Sequence, residues 1–163
     1  MVTDSEIHDL SVVVSERLRS KGLRCGFAES LTGGMISSSI VDIPGASDVL
    51  EGAIVSYTNA MKMNVLGVPE HIIEKYTEVS LQCAECMAVG AGKVTGADIC
   101  IAVTGYAGGT DSDEHDGYVC IGYCYKDKIG SFERKYDGDR REVRMQTVAC
   151  ALRSILELTE DNE

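Results

Sequence analysis

Apolar residues recur at helical intervals near the start of the chain, at Ile7, Leu10, Val14 and Leu18, behind Thr3 and Glu6 at capping-box spacing. Gly22 stops that helix. The pattern then shortens. Residues 23–28 read as a strand, 33–42 as a helix, Pro44-Gly45 as a turn and 51–57 as a second strand. Short helices follow over 59–66, ended by Gly67, and over 70–76. Ser80 caps a helix running to about 93. Its face is small (Ala84, Ala88, Ala91), which permits close packing on a sheet. Residues 98–104, "DICIAVT", are a nearly unbroken apolar run, as in a strand covered on both faces. Strands over 117–125 and 128–136, joined by Lys126-Asp127, form a hairpin. A last helix over 139–158 buries Met145, Val148, Ala149, Leu152, Ile155 and Leu156. Strands interleaved with helices predict an α/β fold, a three-layer α/β/α sandwich with a mixed, mostly parallel sheet, in a single domain over 1–163.

Composition narrows the partners. The chain is 44% apolar and 25% charged, the balance of a globular domain. It has no apolar run long enough for a membrane span, and "MVTDSEIHDL" lacks the pattern of a signal peptide, so a cytoplasmic location is expected. A formal net charge of −11 argues against nucleic-acid and anionic-membrane partners. An anionic ligand then requires a local cationic patch. A homodimer or higher homo-oligomer is expected on symmetry grounds.

Seven cysteines without a secretion signal read as reduced thiols. Cys83-x-x-Cys86 with Cys120 and Cys124 would bind zinc only if both pairs converged; Cys83 and Cys86 fall in a helical stretch and Cys120 and Cys124 on one strand face, so small buried thiols are the favoured reading. The acidic loop Asp111, Asp113, Glu114, Asp116 fails the EF-hand pattern, since Asp116 and Gly122 stand where glycine and glutamate are needed. It reads as a solvated loop tip. No metal and no cofactor are predicted.

The candidate chemistry centres on "FAESLTGGMISSSI", residues 27–40. Ser30 falls between a strand and a helix. Backbone N–H groups at the helix start, around Thr32, Gly33 and Gly34, can hold an anion or an oxyanion. The competing reading is a capped turn. A serine nucleophile needs a base. His8, His71 and His115 all read as solvated. Lys62, among Met61, Met63, Val65 and Leu66, is either a desolvated amine of lowered pKa, with Tyr57 relaying or orienting, or the solvated position of a short amphipathic helix. Thr104, Gly105, Gly108 and Gly109 follow the most buried strand, where α/β sheets bind ligands. Arg134, Lys135, Arg140, Arg141 and Arg144 form either an anion clamp or surface pairs with Asp137, Asp139 and Glu142.

Taken in order, "AESLTGG" (28–34), "DIPGAS" (42–47), "GAIVSYTNAMKMNVLGV" (52–68), "VTGYAGGT" (103–110) and "YDGDRREVR" (136–144) resemble the C-terminal domain family of the competence/damage-inducible protein CinA, the nicotinamide-nucleotide amidases, over nearly the whole chain. The resemblance implies a stand-alone form of that domain. It implies deamidation of nicotinamide mononucleotide to nicotinate mononucleotide and ammonia, in pyridine nucleotide recycling. Carried over by motif, Ser30 is the nucleophile, Lys62 the base and Tyr57 its assistant. Thr104 and Gly105 contact the substrate, Arg140 holds its phosphate, and Asn59 and Ser47 line the pocket. The chain departs from the family's pattern at Leu31 and Gly109. The alternatives are a non-catalytic nucleotide- or partner-binding module, linked to competence or DNA damage, and a thiol or zinc protein built on Cys83 and Cys86.

Overall fold

A computed structural model describes residues 1–109 and 114–161. Asp111 and Asp113 of the acidic loop lie outside the described residues.

Helix α1 (Asp4–Lys21) starts in the capping box of Thr3 and Glu6 and ends at Gly22 in the left-handed region. Strand β1 (Cys25–Glu29) is buried along its whole length. Helix α2 (Met35–Val41) and a 3-10 turn (Ala46–Asp48) lead to β2 (Leu50–Val55). Helices α3 (Asn59–Asn64), α4 (Glu70–Tyr76) and α5 (Leu81–Thr95) precede β3 (Ile99–Gly105). The hairpin β4 (Tyr118–Tyr125) and β5 (Lys128–Lys135) is followed by α6 (Arg140–Leu158). The elements match those read from the pattern, with boundaries moved by a residue or two.

The sheet order is β2-β1-β3-β4-β5. β1 pairs in parallel with β2 and β3, and β4 is antiparallel to both β3 and β5. Four strands therefore run one way and β4 runs against them.

The two faces of the sheet differ in kind. Ile99, Ile101 and Val103 alternate with Cys100 and Ala102 along β3. The large side chains, with Phe27 of β1, pack against Val14 and Leu18 of α1, Ile36 and Ile40 of α2, and Leu152 and Ile155 of α6. The small ones, with Ala28, face Met87, Ala88 and Ala91 of α5. The close approach has a hard limit at Gly122, where a Cβ would stand 2.1 Å from the Ala84 carbonyl oxygen. α5 can lie that near only because both surfaces are small.

The chain leaves β1 through α2 on the first face and returns to β3 through α5 on the second. The carboxyl ends of β2, β1 and β3 thus stand side by side at a topological switch point, where open α/β sheets place their ligands.

Candidate active site

Register brings the pieces together. Glu29 ends β1 opposite Val55 of β2 and Val103 of β3. The next residue in each chain segment, Ser30, Ser56 or Thr104, therefore sits at one rim. The Ser30 amide donates to Val103 O at 3.1 Å, and the Ser56 amide to Glu29 O at 2.9 Å.

From the β2 side, Thr58 caps α3 and Lys62 turns inward one turn later. Lys62 is 1% exposed, which decides between its two sequence readings in favour of the desolvated one. Its Nζ lies 3.2 Å from Ser30 Oγ, 2.9 Å from Ser56 O and 3.3 Å from Tyr57 O. A neutral amine has two N–H groups and one lone pair. The two carbonyls can take the N–H groups, which leaves the lone pair for the Ser30 hydroxyl proton. Desolvation lowers the Lys62 pKa below the ordinary 10.5, against opposing pulls from Cys83 and Glu78. Burial pushes the Cys83 thiol up to about 12, so it is uncharged near neutrality and Glu78 supplies the effective counter-charge.

The turn before α2 is built from within. Glu29, fully buried, accepts from Thr32 Oγ1 at 2.8 Å, Ile36 N at 2.8 Å, Ser37 N at 3.0 Å and Ser37 Oγ at 2.8 Å. The helix start that the sequence offered to a ligand is thus filled by the protein's own carboxylate. From α6, Arg144 braces the same turn, donating to Leu31 O at 2.8 Å and Thr32 O at 3.1 Å.

A cavity of about 250 Å³ opens over this rim and gathers six of the expected residues: Ser30, Tyr57, Lys62, Thr104, Gly105 and Arg140. Tyr57 is exposed (61%) and reaches Lys62 through its carbonyl rather than its phenol. Thr104 donates to Glu78 O at 2.8 Å, and Arg140 to Gly108 O at 2.8 Å.

Five expected residues do not line this cavity. The Thr32 hydroxyl is committed to Glu29. Gly33 and Gly34 line a different, larger cavity of about 410 Å³, with Ile7 and His8 of α1. Ser47 sits exposed in the 3-10 turn beside the amino ends of β1 and β2, the opposite end of the strands from Ser30. Asn59 is exposed at the start of α3 and is not part of the cavity wall.

The basic cluster divides between its two sequence readings. Arg140 faces the cavity and Arg144 serves the turn. Arg141 pairs with Asp4, and Arg134 stacks on Phe132. Asp139 and Glu142 form the α6 capping box instead of ion pairs. Among the described residues, no three His, Cys, Asp or Glu side chains gather as metal ligands would.

Sequence reasoning did not foresee the roles of five residues. Glu29 was legible as the one charge ending an apolar strand. Leu31 lines the cavity, and its amide and that of Thr32 make no hydrogen bond among the described residues. Arg144 holds the turn from the far end of the sequence. Glu78 and Val79 form a wall of the cavity from the α4–α5 connection, where no glycine or motif marked a site.

The CinA C-terminal domain profile matches residues 7–159. A "Nicotinamide-nucleotide amidohydrolase PncC" of Enterobacter agglomerans is 36% identical over 158 residues, covering 95% of this chain and 96% of that protein. A "CinA-like protein" of Fervidobacterium nodosum is 41% identical over 150 residues, 91% of this chain but 36% of that protein. The chain therefore spans about a third of the length of the CinA-like relatives it matches. Among solved structures, the competence/damage inducible protein CihA of Agrobacterium tumefaciens superposes with a TM-score of 0.92 at 33% identity, over 98% of this chain and 99% of that one. A CinA superfamily protein of Klebsiella pneumoniae gives 0.90 at 28% identity, over 94% and 97%.

Proposed function

Since the chain belongs to the CinA C-terminal domain family, we propose that it is an amidohydrolase that converts nicotinamide mononucleotide to nicotinate mononucleotide and ammonia by a Ser30/Lys62 mechanism. The observation that carries this reading is the 3.2 Å approach of Lys62 Nζ to Ser30 Oγ, with the lysine buried and its pKa lowered. The amidohydrolase named among the relatives adds the substrate class.

Neutral Lys62 takes the Ser30 proton as Oγ attacks the carboxamide carbon. The free amides of Leu31 and Thr32 are the donors offered to the oxyanion, in place of the Gly33 and Gly34 amides expected from the motif. The resulting ammonium returns its proton to the amide nitrogen as the C–N bond breaks, and ammonia leaves. Water then attacks the ester on Ser30, Lys62 takes its proton and passes it to Ser30 Oγ as the acyl C–O bond breaks, and the acid is released. Arg140, at the cavity wall, is the group for the phosphate. Tyr57 assists by fixing the amine through its carbonyl. The proposal includes a homodimer acting in the cytoplasm.

The test is ammonia release from nicotinamide mononucleotide by the purified chain and by Ser30→Ala. Turnover that survives in Ser30→Ala, or none in the parent, overturns the reading.

A further inference from the structure

The wall of the Ser30 cavity holds a carboxylate that the mechanism does not use. Glu78 is half-buried and lines the same cavity as Ser30, Lys62 and Arg140. Among the described residues its carboxylate makes no hydrogen bond and no ion pair. Lys62, which feels the Glu78 charge, already directs its nitrogen to three oxygens.

The backbone behind Glu78 is held firmly. Thr77 has φ 73 and ψ 170, a region that residues other than glycine adopt only under constraint. Its amide donates to Ile73 O at 2.9 Å and its hydroxyl to Val79 O at 3.2 Å, while its carbonyl accepts from Ser80 Oγ at 2.9 Å. Thr104 Oγ1 donates to the Glu78 carbonyl at 2.8 Å. Every one of these bonds uses the main chain or a neighbour. The Glu78 carboxylate lines the cavity wall with no hydrogen-bond or ion-pair partner among the described residues. Strain retained at such a place points to use by a ligand.

An ionised carboxylate can only accept hydrogen bonds. Its complement is a ligand group with N–H donors, and a primary carboxamide carries two. The acid left by hydrolysis carries none, and its charge is like that of Glu78. Both ligands keep the same phosphate for Arg140, so the difference between them falls at the amide or acid group.

We infer that Glu78 selects a carboxamide over the matching carboxylate in the Ser30 cavity, accepting an N–H of the amide nitrogen and repelling the acid that hydrolysis leaves. This rests on the substrate class proposed above. It makes Glu78 a specificity determinant that also speeds product release, since the acid loses an interaction the amide had.

Calorimetric binding in a Ser30→Ala background tests this without turnover. Nicotinamide mononucleotide is expected to bind at least about tenfold more tightly than nicotinate mononucleotide, the scale of one like-charge contact at a half-exposed wall. Glu78→Gln is expected to bring the ratio close to one, mainly by tightening the acid. Glu78→Ala is expected to weaken the amide and tighten the acid. The side chain supports no backbone bond, so melting temperatures check that the variants stay folded. An unchanged ratio in Glu78→Gln, equal binding of both ligands in the parent, or no binding of either overturns the inference. Ammonia release by the Ser30 enzyme is read separately. Turnover with an unchanged ratio sinks Glu78 and leaves the amidase. A shifted ratio without turnover sinks the amidase and leaves Glu78.

Discussion

Glu29 ties the turn that carries Ser30, Glu78 lines the cavity that Ser30 opens into, and the two carboxylates have opposite fates. Glu29 is fully buried and accepts four hydrogen bonds that knit the turn carrying Ser30. Glu78 is half-buried at the cavity wall and accepts none among the described residues. A saturated carboxylate is architecture, because its charge is already spent on orphan amides at a helix start. An unsaturated one at a cavity is available to a ligand. The contrast also relocates the anion-binding function. The α2 terminus is closed by Glu29, so an anionic group must be met by Arg140 instead.

Lys62 bonds to Ser30 and feels the charge of Glu78. Its replacement gives the largest expected effect. Lys62→Ala and Lys62→Arg should each lower kcat/KM for amide hydrolysis on the order of 10⁴-fold, since a guanidinium cannot deprotonate to serve as base. In the parent, kcat/KM should rise with pH along a limb whose midpoint lies below the ordinary lysine value of 10.5. Lys62→Arg should lack that limb, and retention of the limb would contradict Lys62 as the base. The stability sign follows. The folded amine holds its proton less tightly than the unfolded one, so unfolding takes up protons between the lowered pKa and 10.5. Denaturant stability should therefore rise with pH across that window, and Lys62→Met should flatten the rise.

The next effect separates the carboxylates directly. Glu29→Gln puts an amide among four donors, so at least one buried bond is replaced by a donor–donor clash. We expect a cost of about 3 kcal/mol and a fall in Tm of about 6–10 °C. Glu78→Gln should leave Tm within about 1 °C, because its carboxylate makes no hydrogen bond or ion pair among the described residues. Equal thermal costs for the two variants would erase the distinction between them.

What the sequence disclosed follows the same division. The helices and strands were legible because their apolar periods are long and uninterrupted, and the small face of α5 announced its close packing. Ser30 and Lys62 were legible as candidates, since a strand–helix junction and a lysine among apolar neighbours are local features. Their 3.2 Å separation was not, because it depends on β1 lying between β2 and β3. Gly33 and Gly34 misled for a physical reason. Glycines at a helix start suggest open amides, but the acceptor that closes that start sits upstream at Glu29. Ser47 misled because the motif order along the chain hides which end of β2 each motif occupies. Arg144 and Glu78 reach the site from α6 and the α4–α5 connection; the basic cluster marked Arg144 as a clamp or a surface pair but not as a brace for the turn, and no local pattern marks Glu78.

The smallest expected effect tests whether the backbone truly presents Glu78. Thr77 holds φ 73 with a β-branched side chain, which costs on the order of 1–3 kcal/mol. Glycine removes that strain but gives up the 3.2 Å bond to Val79 O and gains freedom in the unfolded chain. The terms oppose, and strain is the larger, so Thr77→Gly should stabilise by about 0.5–1 kcal/mol, a rise in Tm of about 2–3 °C. Thr77→Ala keeps the strained backbone and loses the bond, so it should destabilise by about 1 kcal/mol. The pair brackets the strain from both sides. If it holds Glu78 in place, the glycine variant should also narrow the amide-over-acid ratio although it is the more stable protein. A stabilised Thr77→Gly with an undiminished ratio would mean that the Thr104 bond alone presents the carboxylate.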